Sequence, residues 1–187
     1  MLPLNQITPN AIASAFRFPY GESSLLIDRT YGGAALNDAS QGREAQLWTI
    51  AYDGLNVSVF PESGVVQQTV PIAGVMACSL AFDANMNTAI AWIDGSGAHL
   101  RHFDSHTLQY SVLDIPGANS CKARTDDTRA FNAALSDVIF AYTLNGVLYY
   151  RVERDNYAIE YTVGVCGPLT LHRMGMSVGQ RFQFEVN

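Results

Sequence analysis

The stretch that decides the fold is Asp137–Val165, DVIFAYTLNGVLYYRVERDNYAIEYTVGV. Apolar and β-favouring residues occupy both alternating faces of Val138–Thr143, which predicts a strand covered on both sides. Asn145-Gly146 predicts a tight hairpin, because both residues tolerate a positive φ. We expect further strands at Val147–Val152 and Tyr157–Val163, joined by a polar link. The stretch therefore predicts a three-stranded antiparallel meander.

The same pattern of strands and turns occurs twice upstream, in residues 46–72 and 88–115. A further short strand is predicted before each trio, at Ser23–Asp28, Cys78–Asp83 and Cys121–Thr125. Cys78 and Cys121 are 43 positions apart, and Cys166 follows 45 positions later. A period of this length with four strands per unit is typical of β-propeller blades.

These repeats predict an all-β protein of four-stranded antiparallel meanders in a β-propeller-like arrangement. We expect a single domain at residues 23–187, containing units near 23–72, 78–115 and 121–165 and a partial unit at 166–187. Residues 1–22 contain three prolines and little periodicity, which predicts an extended N-terminal arm. Thr30–Arg43 is rich in Gly, Asn, Asp and Ser and predicts a long loop.

The number of units raises a question of closure, because propellers typically need at least four blades. Either Arg181–Val186 closes an unusually small ring, or another chain completes the sheet stack. We favour burial of the open sheet by partner chains, since an uncovered sheet edge promotes association.

Composition excludes several classes of function. The chain has 187 residues, 48% hydrophobic and 15% charged, with a net charge of −6 and a single lysine, Lys122. This balance argues against a nucleic-acid ligand, which requires clustered basic residues. We find no signal peptide and no apolar run long enough to span a bilayer, so we expect a soluble protein made in a cytoplasm, with no membrane partner.

The histidines offer one candidate metal motif. His102 and His106 have the i, i+4 spacing that suits a metal site on a helix, and His99 is close in sequence. They fall across a predicted strand and its turn, however, where this spacing has no such geometric meaning. We therefore favour solvated histidines, treat His172 as a polar residue near a strand end, and predict neither a bound metal nor a cofactor.

Two other groups of residues also have a simpler structural interpretation. Cys78, Cys121 and Cys166 could form a redox or zinc set, but their equivalent positions in successive units favour small buried packing residues. Two oxygen-rich stretches, Asp126-Asp127 with Asp137 and Asp83 with Asn85 and Asn87, do not match an EF-hand loop and indicate solvated turns.

No catalytic residue is predicted, and we expect a protein that is not an enzyme. The sequence contains no G-x-S-x-G elbow, phosphate-binding glycine loop or H-E-x-x-H motif. Carboxylate pairs for glycoside hydrolysis are defined in space rather than in sequence, so that alternative stays open.

The densest aromatic and arginine patch contains Tyr149, Tyr150, Arg151, Arg154, Tyr157 and Tyr161. Such residues form interface hot spots or sugar platforms, although alternate tyrosines in a strand also fill the space between sheets. We expect the latter role for at least half of the tyrosines. We predict an assembly contact formed by Tyr150, Arg151, Arg154, Phe182 and Phe184.

Four segments resemble virion proteins of short-tailed bacteriophages that lie near the tail and fibre components. These segments are LNDASQGREAQLWTIAYDG (36–54), LAFDANMNTAIAWI (80–93), SDVIFAYTLNGVLYYRVERDNYAIEYTV (136–163) and LHRMGMSVGQRFQFEVN (171–187). The resemblance implies a structural subunit, a tail adaptor or fibre-associated protein, assembled in the host cytoplasm and located in the virion tail region. Its implied partners are other virion proteins and copies of itself, and its motifs identify no catalytic residue.

The alternative function is a carbohydrate-binding or glycan-cleaving propeller-like module that recognises a host-surface glycan. Asp-box or aromatic sugar motifs at equivalent positions of the units would mark such a module. The sequence contains none.

Overall fold

A computed structural model describes residues 26–32, 46–61, 66, 68–83, 85, 87–104, 106–126, 137–176 and 182–187. The sheets in this part of the chain are antiparallel, and three of them are four-stranded, which confirms the predicted all-β meander class. The first sheet contains β1 (Leu26–Gly32), β2 (Gln46–Tyr52), β3 (Asn56–Pro61) and β4 (Gln68–Pro71). The second contains β5 (Ala77–Phe82), β6 (Thr88–Asp94), β7 (Gly97–Asp104) and β8 (Gln109–Pro116).

The third sheet contains β9 (Ser120–Thr125), β10 (Val138–Leu144), β11 (Val147–Val152) and β12 (Tyr161–Val165), and the fourth contains β13 (Leu171–Met176) and β14 (Phe182–Val186). A single-turn 3-10 helix, Glu153–Asp155, follows β11. The hairpin predicted at Asn145-Gly146 is confirmed, since both residues have a positive φ, 52° and 76°.

The sheets stack through their first strands. β1 packs beside β5, β5 beside β9, and β9 beside β13. The Ser79 hydroxyl accepts a hydrogen bond from the Ala123 N–H at 2.8 Å, and the Thr125 hydroxyl donates to the Phe82 carbonyl at 2.6 Å. Because residue numbers rise together across these contacts, β5 and β9 run in the same direction. Corresponding ends of the second and third sheets therefore lie on the same side of the stack.

Three apolar clusters fill the spaces between successive sheets. Strand β10 contributes to two of them, with Val138, Phe140 and Tyr142 facing the second sheet and Ile139 and Ala141 facing the fourth. The third sheet is therefore covered on both faces, as its two-faced apolar pattern predicted.

The third strand of the third unit is displaced from its predicted position at Tyr157–Val163. Strand β12 begins at Tyr161, so the prediction is wrong for the residues before it. The physical reason is that Asn156 and Tyr157 both adopt a positive φ, 48° and 57°, which is incompatible with an extended strand. Tyr157 is instead a buried residue of the link, with 4% of its surface exposed.

The loop predicted at Thr30–Arg43 is wrong at its start. Thr30 and Tyr31 belong to β1, where they pair with Trp48 and Leu47 of β2, because β-branched and aromatic residues favour paired strands. The arm predicted at residues 1–22 lies outside the described residues. Within the described part of the chain, closure of the stack into a ring is not observed, and no helix is long and apolar enough to cross a membrane.

Candidate functional site

Three titratable side chains from distant parts of the sequence meet between the second and third sheets. Asp83 follows β5, His102 lies near the end of β7, and Glu153 follows β11. Strands β5, β7 and β11 run in the same direction, so their ends meet at one edge of the stack. One oxygen or nitrogen atom of each side chain lies within 4.8 Å of the other two.

Asp83 is fixed by the turn that follows β5. Its Oδ1 accepts hydrogen bonds from the backbone N–H groups of Asn85 and Asn87, both at 2.8 Å, and its Oδ2 accepts from the Asn87 side-chain amide at 2.7 Å. Burial alone would raise the pKa of Asp83. The contacts from His102, Asn87 and Asn85 outweigh burial and lower this pKa below its usual value, so the carboxylate stays ionised.

His102 lies on β7 and is almost fully buried. Its Nδ1 is 2.9 Å from the hydroxyl of Tyr157, and the two rings meet edge to face. Its Nε2 lies 3.4 Å from Oδ2 of Asp83 and makes no hydrogen bond of ordinary geometry. One nitrogen of the imidazole is therefore held in place, and the other faces the carboxylates.

Glu153 opens the 3-10 helix, and its Oε2 accepts a hydrogen bond from the Val138 N–H at 2.8 Å. Burial raises the pKa of Glu153. The Val138 N–H and His102 lower this pKa, whereas the nearby carboxylates of Asp83 and Asp137 raise it, and the net shift is upward. The ionised form of Glu153 is therefore less favourable here than in water, and either a proton or a cation would offset its charge.

A small polar cavity opens beside these side chains, with a volume of about 260 Å³. His106 and Ser111 lie at its wall, and the buried hydroxyl of Tyr157 reaches it from the opposite sheet. Burial, together with the neighbouring Glu153 and Asp83 carboxylates, raises the pKa of Tyr157 well above its ordinary value. One imidazole and two carboxylates are a donor set that suits a divalent cation.

The other histidines do not join this cluster. His99 lies between two different carboxylates, with Nε2 3.1 Å from Asp94 and Nδ1 2.6 Å from Asp114. Burial would raise the pKa of Asp94, but hydrogen bonds from Ser96 and the contact with His99 lower it to about 2. His106 is exposed at the cavity wall, and His172 is exposed on β13.

The oxygen-rich turn predicted at Asp126-Asp127 and Asp137 contains an arginine contact. The Arg154 guanidinium contacts Asp137 directly and lies 4.0 Å from Asp126, while Asp127 lies outside the described residues. Asp137 is buried and Asp126 is half-buried, and both lie beside the partly exposed Arg154 instead of forming a solvated turn.

The three cysteines are free thiols. Cys78 and Cys121 are each the second residue of the first strand of a sheet, and both are buried, which agrees with their interpretation as packing residues. Cys166 is half-buried and follows β12, whereas the next strand begins at Leu171.

The residues of the predicted assembly contact lie at two places. Tyr150 stacks on Tyr161 with ring centroids 5.0 Å apart and contacts Phe184 at 5.7 Å, while Phe182 and Phe184 pack on each other at 5.2 Å. Tyr150, Phe182 and Phe184 line the space between the third and fourth sheets.

The arginines of the same patch make internal contacts. Arg151 donates to the Tyr157 carbonyl at 2.9 Å and to the Glu160 carboxylate at 3.2 Å. Arg154 contacts Asp137, although more than half of its side chain is exposed. The assembly contact stays a prediction, and these internal bonds limit how far Arg151 can reach toward a partner.

A wide groove of about 760 Å³ runs between β12 and the fourth sheet. Its wall includes Val163 and Val165, which are 44% and 87% exposed, together with Met174 and Phe184. The fourth sheet has two strands where each of the others has four, and within the described residues β14 pairs with β13 alone. The groove therefore occupies the position that further strands of this sheet would take.

Comparison of the chain with protein-family models, with curated proteins and with solved structures finds no match.

The sequence did not single out Glu153 or the cluster as a whole. The repeat contained a signal for the cluster: Asp83 and Glu153 each follow a strand, His102 lies near the end of a third strand, and all three strands run in the same direction. That signal predicts a cluster only if the second and third units are known to stack in register.

Proposed function

We propose that the chain is a structural subunit of a bacteriophage virion, a tail adaptor or fibre-associated protein that acts through subunit contacts and not through catalysis. The observation that carries this proposal is the fourth sheet, which has two strands among the described residues and lies beside an open groove with exposed valines in its wall. An uncovered strand edge next to exposed valines favours the addition of a strand from another chain. The resemblance to virion proteins of short-tailed phages is the reason for proposing a phage tail as the assembly.

We further propose that the stack is propeller-like and becomes complete only in the assembly. Each four-stranded sheet contacts the next through its first strand, as blades do around a propeller axis. The described residues form three four-stranded sheets and one two-stranded sheet, which are too few to close a ring of ordinary size. A strand from a neighbouring subunit would extend the fourth sheet and cover the groove.

The occupant we propose for the groove is residues 1–22 of a second copy of this chain. This segment has two charged residues, Arg17 and Glu22, and is otherwise apolar or neutral. The wall of the groove combines apolar side chains with Arg173, Gln183 and Glu185, and Arg173 and Glu185 are register partners in the pairing of β13 with β14. A segment with so few charged residues would bring little further charge into the groove.

The glycan-recognition alternative has weaker support. The cavity beside Asp83 and His102 is polar, but its volume of about 260 Å³ lies below the ~300–1,000 Å³ usual for ligand pockets. A saturable hit on a bacterial glycan array, lost on substitution of cavity residues, would favour this alternative over the structural role.

Co-sedimentation with virions tests the proposed function. Phage particles purified from the host lysate on a density gradient should contain the chain at a fixed ratio to the capsid protein, measured by quantitative mass spectrometry. Treatment with a nonionic detergent should not remove it. Its absence from intact purified particles, with free protein remaining at the top of the gradient, would overturn the proposal.

A further inference from the structure

We propose that Asp83, His102 and Glu153 bind one divalent transition-metal cation, with Zn²⁺ the best match to the donor set. The three side chains belong to two sheets and contribute one ligating atom each, all within 4.8 Å of one another. A cation there would connect the turn after β5, strand β7 and the link after β11. This site is independent of the groove at the fourth sheet.

The imidazole of His102 gives the strongest evidence for a ligand. Only 9% of its side chain is exposed, and its Nε2 lies 3.4 Å from Oδ2 of Asp83 without making a hydrogen bond of ordinary geometry. A buried polar atom of this kind normally has a partner. A metal ion bound to Nε2 would supply that partner.

Tyr157 prepares His102 for this role. Its oxygen lies 2.9 Å from Nδ1, so it can accept the Nδ1–H hydrogen bond of the neutral imidazole. In that tautomer Nε2 carries the free electron pair that metal coordination requires. Tyr157 is therefore a positioning residue, and its backbone has a positive φ of 57°.

The charges around the cavity also favour a cation. Asp83 and Glu153 contribute a buried and a half-buried carboxylate to its wall, and none of the described residues that line it is lysine or arginine. Carboxylates removed from water without a nearby positive charge are costly. Arg154 does not supply this charge to the cavity, since it contacts Asp137 and is not part of the wall.

The distances fit a small cation after a modest adjustment. Nε2 of His102 and Oδ2 of Asp83 are 3.4 Å apart, which matches the roughly 3.3–3.5 Å ligand separation in a tetrahedral zinc site. Glu153 must approach slightly to complete a three-ligand set. The fourth position would face the cavity and take a water molecule.

Two other places are less suitable for the same ion. The two nitrogens of His99 face opposite carboxylates, Asp94 and Asp114, so they cannot share one cation. The three thiols belong to three different sheet interfaces or links and are not grouped in the described part of the chain. A site at Asp83 and His102 can therefore be distinguished by substitution.

Titration of the full chain with metal ions tests the proposal. After removal of metal with EDTA, calorimetry with zinc chloride should show saturable binding of one ion per chain, and manganese chloride should bind more weakly. Added Zn²⁺ should raise the thermal unfolding midpoint. The cobalt(II) complex should show visible ligand-field bands without the near-ultraviolet band of thiolate coordination.

Variants locate the bound ion. His102→Gln and Glu153→Gln should abolish saturable binding, and Tyr157→Phe should weaken it by about 10–100-fold. The control variants His172→Gln and Cys166→Ser should bind as the wild type does. Circular dichroism and thermal unfolding in EDTA establish that each variant folds.

Failure of the wild-type chain to bind Zn²⁺ saturably would overturn the proposal. It would also be overturned if binding persisted in folded His102→Gln, or if Cys166→Ser abolished binding. If a cluster variant does not fold, the wild-type cobalt spectrum still tests the proposal. A thiolate band, or the absence of ligand-field bands, would overturn it. None of these results bears on the presence of the chain in virions.

Discussion

The hydroxyl of Tyr157 lies 2.9 Å from Nδ1 of His102, although the two residues are 55 positions apart in sequence. This contact joins the link of the third unit to the third strand of the second unit. Both side chains are buried, so neither can exchange this hydrogen bond for one with water. If the two sheets were stacked out of register, this buried hydrogen bond would be lost. The contact therefore favours the observed stacking, in addition to the apolar packing around it.

Tyr157→Phe should lower the free energy of unfolding by about 1–3 kcal/mol, because it leaves the buried Nδ1 of His102 unpaired. The measurement is urea unfolding in EDTA, so that metal binding does not contribute. Tyr161→Phe is the control, since its hydroxyl bonds to Asp155 near the surface and its loss should have a smaller effect. Equal losses in the two variants would contradict the importance of the buried contact.

The sequence predicted local structure better than it predicted contacts between units. Asn145-Gly146 and the two-faced apolar pattern of Val138–Thr143 identify a hairpin and a covered strand from short-range chemistry. The sequence placed Tyr157 in a strand, because its propensity favours one, but tertiary burial against His102 and a positive φ prevail. The spacing of residues 83, 102 and 153 contains no local pattern, so only the stacking of sheets brings them together.

Gly97→Ala should destabilise the second sheet strongly. Gly97 has a φ of 146°, and a Cβ there would lie 2.2 Å from the Ile115 carbonyl oxygen on β8, a backbone atom that cannot move aside cheaply. We expect a loss of about 1–3 kcal/mol or more in the free energy of unfolding. Gly95→Ala in the same hairpin is the matched control, since no atom lies within 4 Å of its added Cβ.

Chemical denaturation of the two glycine variants gives the comparison directly. Gly95→Ala should stay within about 0.5 kcal/mol of the wild type. If Gly97→Ala were as stable as Gly95→Ala, the start of β7 would not lie as close to the end of β8 as the structure indicates.

Stability at alkaline pH should depend on Tyr142. Burial raises the pKa of Tyr142 to about 12, with Arg151 opposing and Glu160 adding to the shift. In the unfolded chain a tyrosine ionises near pH 10. Below about pH 10 both states keep the proton and the stabilisation is complete. It is lost as pH rises toward 12, because the unfolded chain ionises first.

The measurement is the free energy of unfolding as a function of pH for the wild type and Tyr142→Phe. The other tyrosines titrate in both proteins, so the difference between the two curves isolates Tyr142. The wild-type value should fall more steeply above about pH 10. Parallel curves would contradict the raised pKa.

Thiol labelling should separate the three cysteines. Burial raises the pKa of Cys121 to about 12, so the reactive thiolate is scarce at neutral pH and the sulfur is also shielded. Cys166 is half-buried and should react first with iodoacetamide. Peptide mass spectrometry of the native protein should find mainly Cys166 modified, with all three modified in denaturant. Rapid native labelling of Cys121 would contradict its burial between the second and third sheets.

Val165→Lys should reduce self-association of the chain. Val165 is 87% exposed at the groove, where we propose that residues 1–22 of a second copy bind, and a lysine there would place a charge against an apolar segment. Val112→Lys is the matched control, because Val112 is an exposed valine of β8 on the second sheet, outside the groove.

Size-exclusion chromatography with light scattering measures the mass of each protein over a range of concentrations. The wild type and Val112→Lys should form concentration-dependent oligomers, and Val165→Lys should shift toward the monomer. A wild type that is monomeric at every concentration would mean that the groove is not filled by a second copy. Oligomers unaffected by Val165→Lys would place self-association on another surface.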